Sequence, residues 1–162
     1  MNNLSQQYIK RMIEVSKKKQ IVLQDILLLT MAQTEAIETD GMEGLERLLE
    51  NKQKKIEVID RLDLDFSTCF TKIKDIFNVE SLEDAKMASI EGVNELKRSI
   101  EKILEILKEI SGVEKQNSDK VKNIMTDLSG RIKRINQGKK VNSLYNGYDD
   151  ESSSSYFIDK KK

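Results

Sequence analysis

Between Leu82 and Gln137 the sequence runs 56 residues without a proline, and its apolar side chains return at alternating three- and four-residue steps. Val93, Leu96, Ile100, Ile103, Leu107 and Ile110 form one such series. Asn117, Val121, Ile124 and Leu128 keep its phase, and Ile132 and Ile135 resume it after a one-residue slip. That spacing lines apolar side chains along one seam of a helix packed on another helix. At about 1.5 Å per residue a helix over 82–137 measures roughly 84 Å, whereas the two preceding helical segments, about 35 and 37 residues, reach only about 52 and 55 Å. Roughly the last third of the long helix therefore carries an apolar stripe with no partner of matching length in its own chain. Apolar surface left uncovered marks an interaction site.

The first segment, predicted over about 4–38, carries a heptad-like seam of Tyr8, Met12, Val15, Val22, Ile26, Leu29 and Ala36, interrupted by Lys19 and Gln33. Ile21, Leu23, Leu27 and Leu28 widen its apolar face, as contact with two neighbours requires. Thr39-Asp40-Gly41-Met42-Glu43 reads as a tight reversal, with Asp40 capping the next helix and Glu43 reaching back to it. A connection this short makes its two helices antiparallel neighbours. The second helix, about 41–77, turns Leu45, Leu49, Lys52, Ile56, Ile59, Leu62, Phe66, Phe70, Ile73 and Phe77 inward. Three of the four phenylalanines crowd its end, so the core is expected to be thickest there, with Cys69 buried in it. Asn78 to Ser81 reads as the second turn, and Ser81 as the cap of the long helix.

Within the third helix, Ser111-Gly112 and Asn117-Ser118-Asp119 are the break-prone positions, and a kink near 111–119 would fall there. Gly138 reads as its C-terminal cap. Residues 138–162 form a polar tail with Tyr145, Tyr148, Tyr156 and Phe157, half of the chain's eight aromatics. Such a tail either docks on its own helices or folds on a partner. The expected fold is all-α: an elongated antiparallel three-helix bundle or coiled coil over 1–137, with a long third helix and a flexible C-terminal tail over 138–162.

Composition narrows the function. Histidine is absent, which excludes phosphotransfer on histidine and Ser-His or Cys-His nucleophile pairs, and leaves a metal only carboxylates and one thiol. Glu101, Glu105 and Glu109 read as a solvated helix face, since no second carboxylate cluster converges on them. Neither Gly41-x-x-Gly44 nor Gly130 has the strand-to-helix context or the lysine of a phosphate loop. No enzyme, cofactor or metal is expected. Basic and acidic residues balance at 28 each, so no global attraction to nucleic acid is expected. The one basic run, Arg131, Lys133, Arg134, Lys139 and Lys140, sits where cations offset a helix dipole and precedes Asp149, Asp150 and Glu151. With Ile132 and Ile135 the same run could also lie on an anionic membrane surface, but no segment is long enough for stable membrane insertion. Asn2, Asn3, Ser5, Gln6 and Gln7 do not make a signal peptide, and the lone Cys69 excludes an internal disulfide, so a cytoplasmic location is expected.

From Thr30 to Phe66 the text TMAQTEAIETDGMEGLERLLENKQKKIEVIDRLDLDF resembles the FlgN family of flagellar export chaperones. Its members show a helix ending in Gln and small residues, an acidic turn, and a Leu-rich helix with a Lys-Gln-Lys-like patch followed by Ile. Asn136, Gln137, Gly138 and Lys139 leading to Tyr145 resemble the family's Asn-x-Gly stretch, and Tyr156, Phe157, Asp159, Lys160 and Lys161 its aromatic-Asp-Lys ending. The resemblance implies a cytoplasmic chaperone of the type III secretion apparatus. Such a chaperone binds the terminal helical segment of hook-filament junction proteins, keeps them export-competent and delivers them to the export machinery. It further implies a client-binding face of Val121, Ile124, Met125, Leu128, Ile132 and Ile135, with Tyr145 and Tyr148 as additional contacts. The alternative is a structural or adaptor coiled coil without a secreted client, which buries the same seam in a homodimer.

Overall fold

Three long helices, α1 (Asn3–Glu38), α2 (Met42–Phe77) and α3 (Val93–Asn146), follow one another with a single 3-10 turn, Ala85–Met87, between the second and third. The computed structural model describes residues 3–39 and 41–146, and no strand occurs among them. The chain divides after Asn117 into two compact units, Met1–Asn117 and Ser118–Lys162.

In the first unit the α1–α2 hairpin closes as the turn chemistry requires. Gly41 occupies the cap position of α2 and makes no side-chain cap bond; Asp40, expected in that role, lies outside the described residues. The backbone performs the reversal, with Gly41 N–H donating to Ala36 O at 2.9 Å and Leu45 N–H to Gly41 O at 2.9 Å. Rising numbers in α1 then meet falling numbers in α2. Lys52 donates to Gln33 at 2.9 Å, Lys55 to Asp25 at 3.3 Å, Lys19 to Asp63 at 2.6 Å and Arg11 Nε to Asp65 at 3.1 Å. The third helix runs parallel to α1: Lys17 reaches Glu95 at 2.6 Å, Gln20 Nε2 donates to Ser99 Oγ at 2.5 Å, and Thr34 Oγ1 to Asn117 Oδ1 at 2.5 Å. Up, down and up again is the topology of an antiparallel three-helix bundle.

Three levels succeed one another along this unit. At the first, Ile9 and Met12 of α1, Cys69 and Ile73 of α2, Val93 and Leu96 of α3, and Val79, Leu82, Met87 and Ile90 of the connection form one buried cluster, flanked by Phe66, Phe70 and Phe77. The aromatic end of α2 therefore packs against the largest cluster, and Cys69 is buried within it, both as the sequence suggests. A smaller cluster of Leu23, Ile26, Ile59 and Ile103 follows. The last level is polar. Lys52, only 9% exposed, donates to Gln33 and forms an ion pair with Glu114. Nearby, Asn117 Nδ2 donates to Thr30 O at 3.1 Å, and Thr30 Oγ1 donates to Ile26 O at 2.7 Å. Every buried side-chain donor and acceptor among the described residues has a partner, so this polar layer avoids the penalty of unmet hydrogen bonds.

The third helix departs from the expected 82–137 at both ends. It starts at Val93, because the residues before it form an irregular plug. Asn78 ends α2 in the left-handed region at φ 53°, Ser81 Oγ accepts from Glu83 N–H at 3.1 Å, and Asp84 Oδ1 caps the 3-10 turn from Lys86 N–H at 2.9 Å. Ser81 thus supports a local turn and does not cap α3. Gly92, at φ +88°, admits the chain to α3 where a Cβ would stand 2.9 Å from Ile9 Cγ2. At the other end, Gly138 is helical and α3 continues to Asn146; one glycine weakens a helix by about 1 kcal/mol without ending it. The helix is also unbroken through Ser111–Asp119. Asn117 spends its amide on α1 and so does not compete for its own backbone. Leu49 and Leu107, expected inward, are exposed, and Ile106 packs on the second cluster in the place of Leu107.

Candidate interaction surface

The second unit contains the part of α3 that the sequence singles out. Leu128, Ile124 and Val121 follow at three- and four-residue steps, with Met125, Ile132 and Ile135 beside them, and 100° per residue gathers all six on one face. Val121, Ile124, Met125, Leu128 and Ile135 are 38%, 50%, 61%, 47% and 57% exposed, and Ile132 is half-buried. Tyr145 lies in the last turn of the helix, and Tyr148 falls outside the described residues. Sequence reading missed Val141 and Leu144, also exposed. Ending the helix at Gly138 removed the periodicity that would have shown them, and they fall on the side opposite the stripe.

Among the described residues no cluster of His, Cys, Asp and Glu could hold a metal ion, and no helix is long and apolar enough to cross a membrane. Among the described residues, the titratable groups with displaced pKa values lie in the first unit and have structural causes. Burial draws the Lys52 ammonium below the usual lysine range. Burial, together with the nearby Asp65 carboxylate, pushes the Cys69 thiol up, opposite to what a nucleophile needs. The hydrogen bond from Lys17 holds the Glu95 carboxyl below the usual carboxylate range. What the stripe offers is contact area for another apolar face.

The sequence profile of the FlgN protein family matches residues 1–152. The chain belongs to the FlgN family. FlgN is a family of flagellar export chaperones, and its match takes in all three helices and the whole exposed stripe. Both the Thr30–Phe66 text and the Asn136–Tyr145 stretch that resemble FlgN lie within it, whereas Tyr156, Phe157, Asp159, Lys160 and Lys161 lie beyond it. No curated protein and no solved structure matches this FlgN chain at a significant level.

Proposed function

We propose that this FlgN chain acts as the cytoplasmic chaperone of hook-filament junction proteins, seating their terminal helical segment on Val121, Ile124, Met125, Leu128, Ile132 and Ile135 until export. Tyr145 and Tyr148, which follow the stripe in sequence, are proposed as additional client contacts. The observation that supports this most is the exposure of an unbroken apolar stripe on α3 in a chain of a chaperone family. Burying one Leu or Ile side chain contributes about 1.5–3 kcal/mol, and association costs several kcal/mol in lost freedom, so a stripe of six is large enough to bind and small enough to release. The adaptable thioether of Met125 suits more than one client. An amphipathic client segment, prone to aggregate when free, would complete a helical seam and be hidden in it. No nucleotide hydrolysis is needed for this.

The test is calorimetric titration of the full-length protein with the C-terminal segment of a hook-filament junction protein, repeated with Ile124→Asp/Leu128→Asp. Binding with a negative heat-capacity change, abolished in the variant while its helix content and melting stay nearly unchanged, supports the reading. No binding, together with a concentration-dependent dimer that the same substitutions dissolve, would instead establish the self-associating coiled coil.

A further inference from the structure

The chain's neutrality conceals two opposite charges. Residues 118–146 hold seven basic residues against two acidic ones, Asp119 and Asp127, whereas residues 1–117 hold eighteen basic against twenty-two acidic. The position of the excess matters more than its size. With Val121 as origin and 100° per residue, the apolar stripe spans about −60° to +40°; of the seven basic residues Lys122, Lys133 and Lys140 fall at about +100° to +120°, Lys120 and Arg131 at about −80° to −100°, Arg134 at about −140°, and Lys139 at about 0°, in line with the stripe one turn past Ile135. Asp127, at about −120°, is the one acid near either border. Lys122, Arg131, Lys133 and Lys140 are exposed. Positively charged rows therefore border both edges of the stripe, in the places from which coiled-coil helices select their partners by charge.

We infer that the segment seated on this face is an amphipathic helix whose apolar side is bordered on both flanks by Asp and Glu, so that FlgN selects its client by charge as well as by hydrophobicity. This rests on the client-binding reading above and adds the chemistry of the partner. An anionic membrane surface would attract the same lysines, but the stripe argues for a helix: it is about 100° wide, the width of a seam between two helices, and carries no Trp or Phe. Basic borders also act before contact, drawing an acidic segment in and repelling basic ones.

The experiment uses the full-length protein and three fluorescent peptides of one four-heptad Leu/Ile seam, whose flanking positions are all Glu, all Gln or all Lys, titrated by anisotropy at 50 and 300 mM salt. The Glu peptide is expected to bind roughly tenfold more tightly than the Gln peptide at low salt, as a handful of exposed ion pairs would provide, and the Lys peptide most weakly. Most of that advantage disappears at 300 mM. In Lys122→Glu/Arg131→Glu/Lys133→Glu/Lys140→Glu, which leaves the apolar stripe intact, the order of the Glu and Lys peptides reverses. Equal binding of the Glu and Gln peptides at low salt would overturn the inference while leaving the apolar seat standing. Failure of every peptide, alongside failure of the junction-protein segment, would remove the client reading itself. Phosphatidylglycerol vesicles that displace the Glu peptide through the same lysines would overturn the inference in favour of a membrane surface.

Discussion

Removing Glu114 and removing Lys52 should have unequal consequences, although the two residues form one ion pair. Lys52 is 9% exposed and its ammonium has two partners, Gln33 and Glu114. The Glu114 side chain is 43% exposed, so its loss opens a route for water, and the 3–5 kcal/mol typical of breaking a fully buried pair shrinks to about 1–2 kcal/mol. In Glu114→Ala the lysine remains interior with only a neutral amide to hold it. Lys52→Met keeps the apolar stem and removes the charge that burial penalises; it strands the Gln33 amide at about 1 kcal/mol, so the two effects nearly cancel. With Lys52 already replaced, Glu114→Ala should add almost nothing, giving a coupling energy of about 1–2 kcal/mol. Urea unfolding followed by circular dichroism reads this as a midpoint shift of about 0.5–1 M at unchanged slope for Glu114→Ala alone. A loss of about 3 kcal/mol or more in Lys52→Met, with Glu114→Ala neutral, would show that the lysine stem is the contributing part and would refute the argument.

Gly92→Ala should destabilise by about 1–3 kcal/mol, since φ is +88° and the new Cβ meets Ile9 Cγ2 at 2.9 Å; Ile9→Val in the same chain, which removes Cδ1 but keeps Cγ2, should recover none of it, measured by thermal melting. Cys69 should resist alkylation in the native protein and react as the chain unfolds, because it is 6% exposed and its thiol pKa is raised. For the same reason stability should fall as pH rises above the ordinary thiol range: the unfolded chain releases a proton there that the folded chain keeps, and Cys69→Ala should remove that slope. Asn117→Leu should take from Thr34 its short bond to Asn117 Oδ1 and leave only the 3.4 Å contact with Thr30 O, lowering stability by about 1 kcal/mol despite the added apolar bulk, a balance that a double substitution with Thr34→Val would reverse.

Three helices, their order and the antiparallel hairpin are legible because heptad spacing and one tight turn each have a single structural solution. Even Lys52 appears on the inward side of α2 by phase alone. The plug between α2 and α3 was hidden, because Val79, Leu82, Met87 and Ile90 are apolar enough to extend a helical reading, and the five-residue gap from Leu82 to Met87 is a weak signal. Asn117 misleads in the other direction. Local propensity marks it as a breaker, while its partners Thr30 and Thr34 lie more than 80 residues away, beyond any window-based reading. The apolar stripe of α3 needs no such partner to be seen, since its phase is set by the helix itself. Its basic borders escape a linear scan because they alternate with apolar residues and gather only on the cylinder.

The up-down-up order also sets a sequence of events in time. Contacts between α1 and α2 grow outward from the reversal, from Gln33–Lys52, 19 residues apart, through Asp25–Lys55 at 30 and Lys19–Asp63 at 44 to Arg11–Asp65 at 54, so each closes a loop only about a dozen residues longer than the last. Those of α3 with α1 span 78 to 87 residues. A chain emerging from the ribosome can therefore zip its hairpin early, whereas Ile9, Met12 and Ile73 stay wet until Val79 to Leu96 arrive to cover them. Unfolding should retrace this path, with α3 detaching first. In native-state hydrogen exchange, amides of α3 between Val93 and Asn117 should then open at a lower free energy than those of the hairpin.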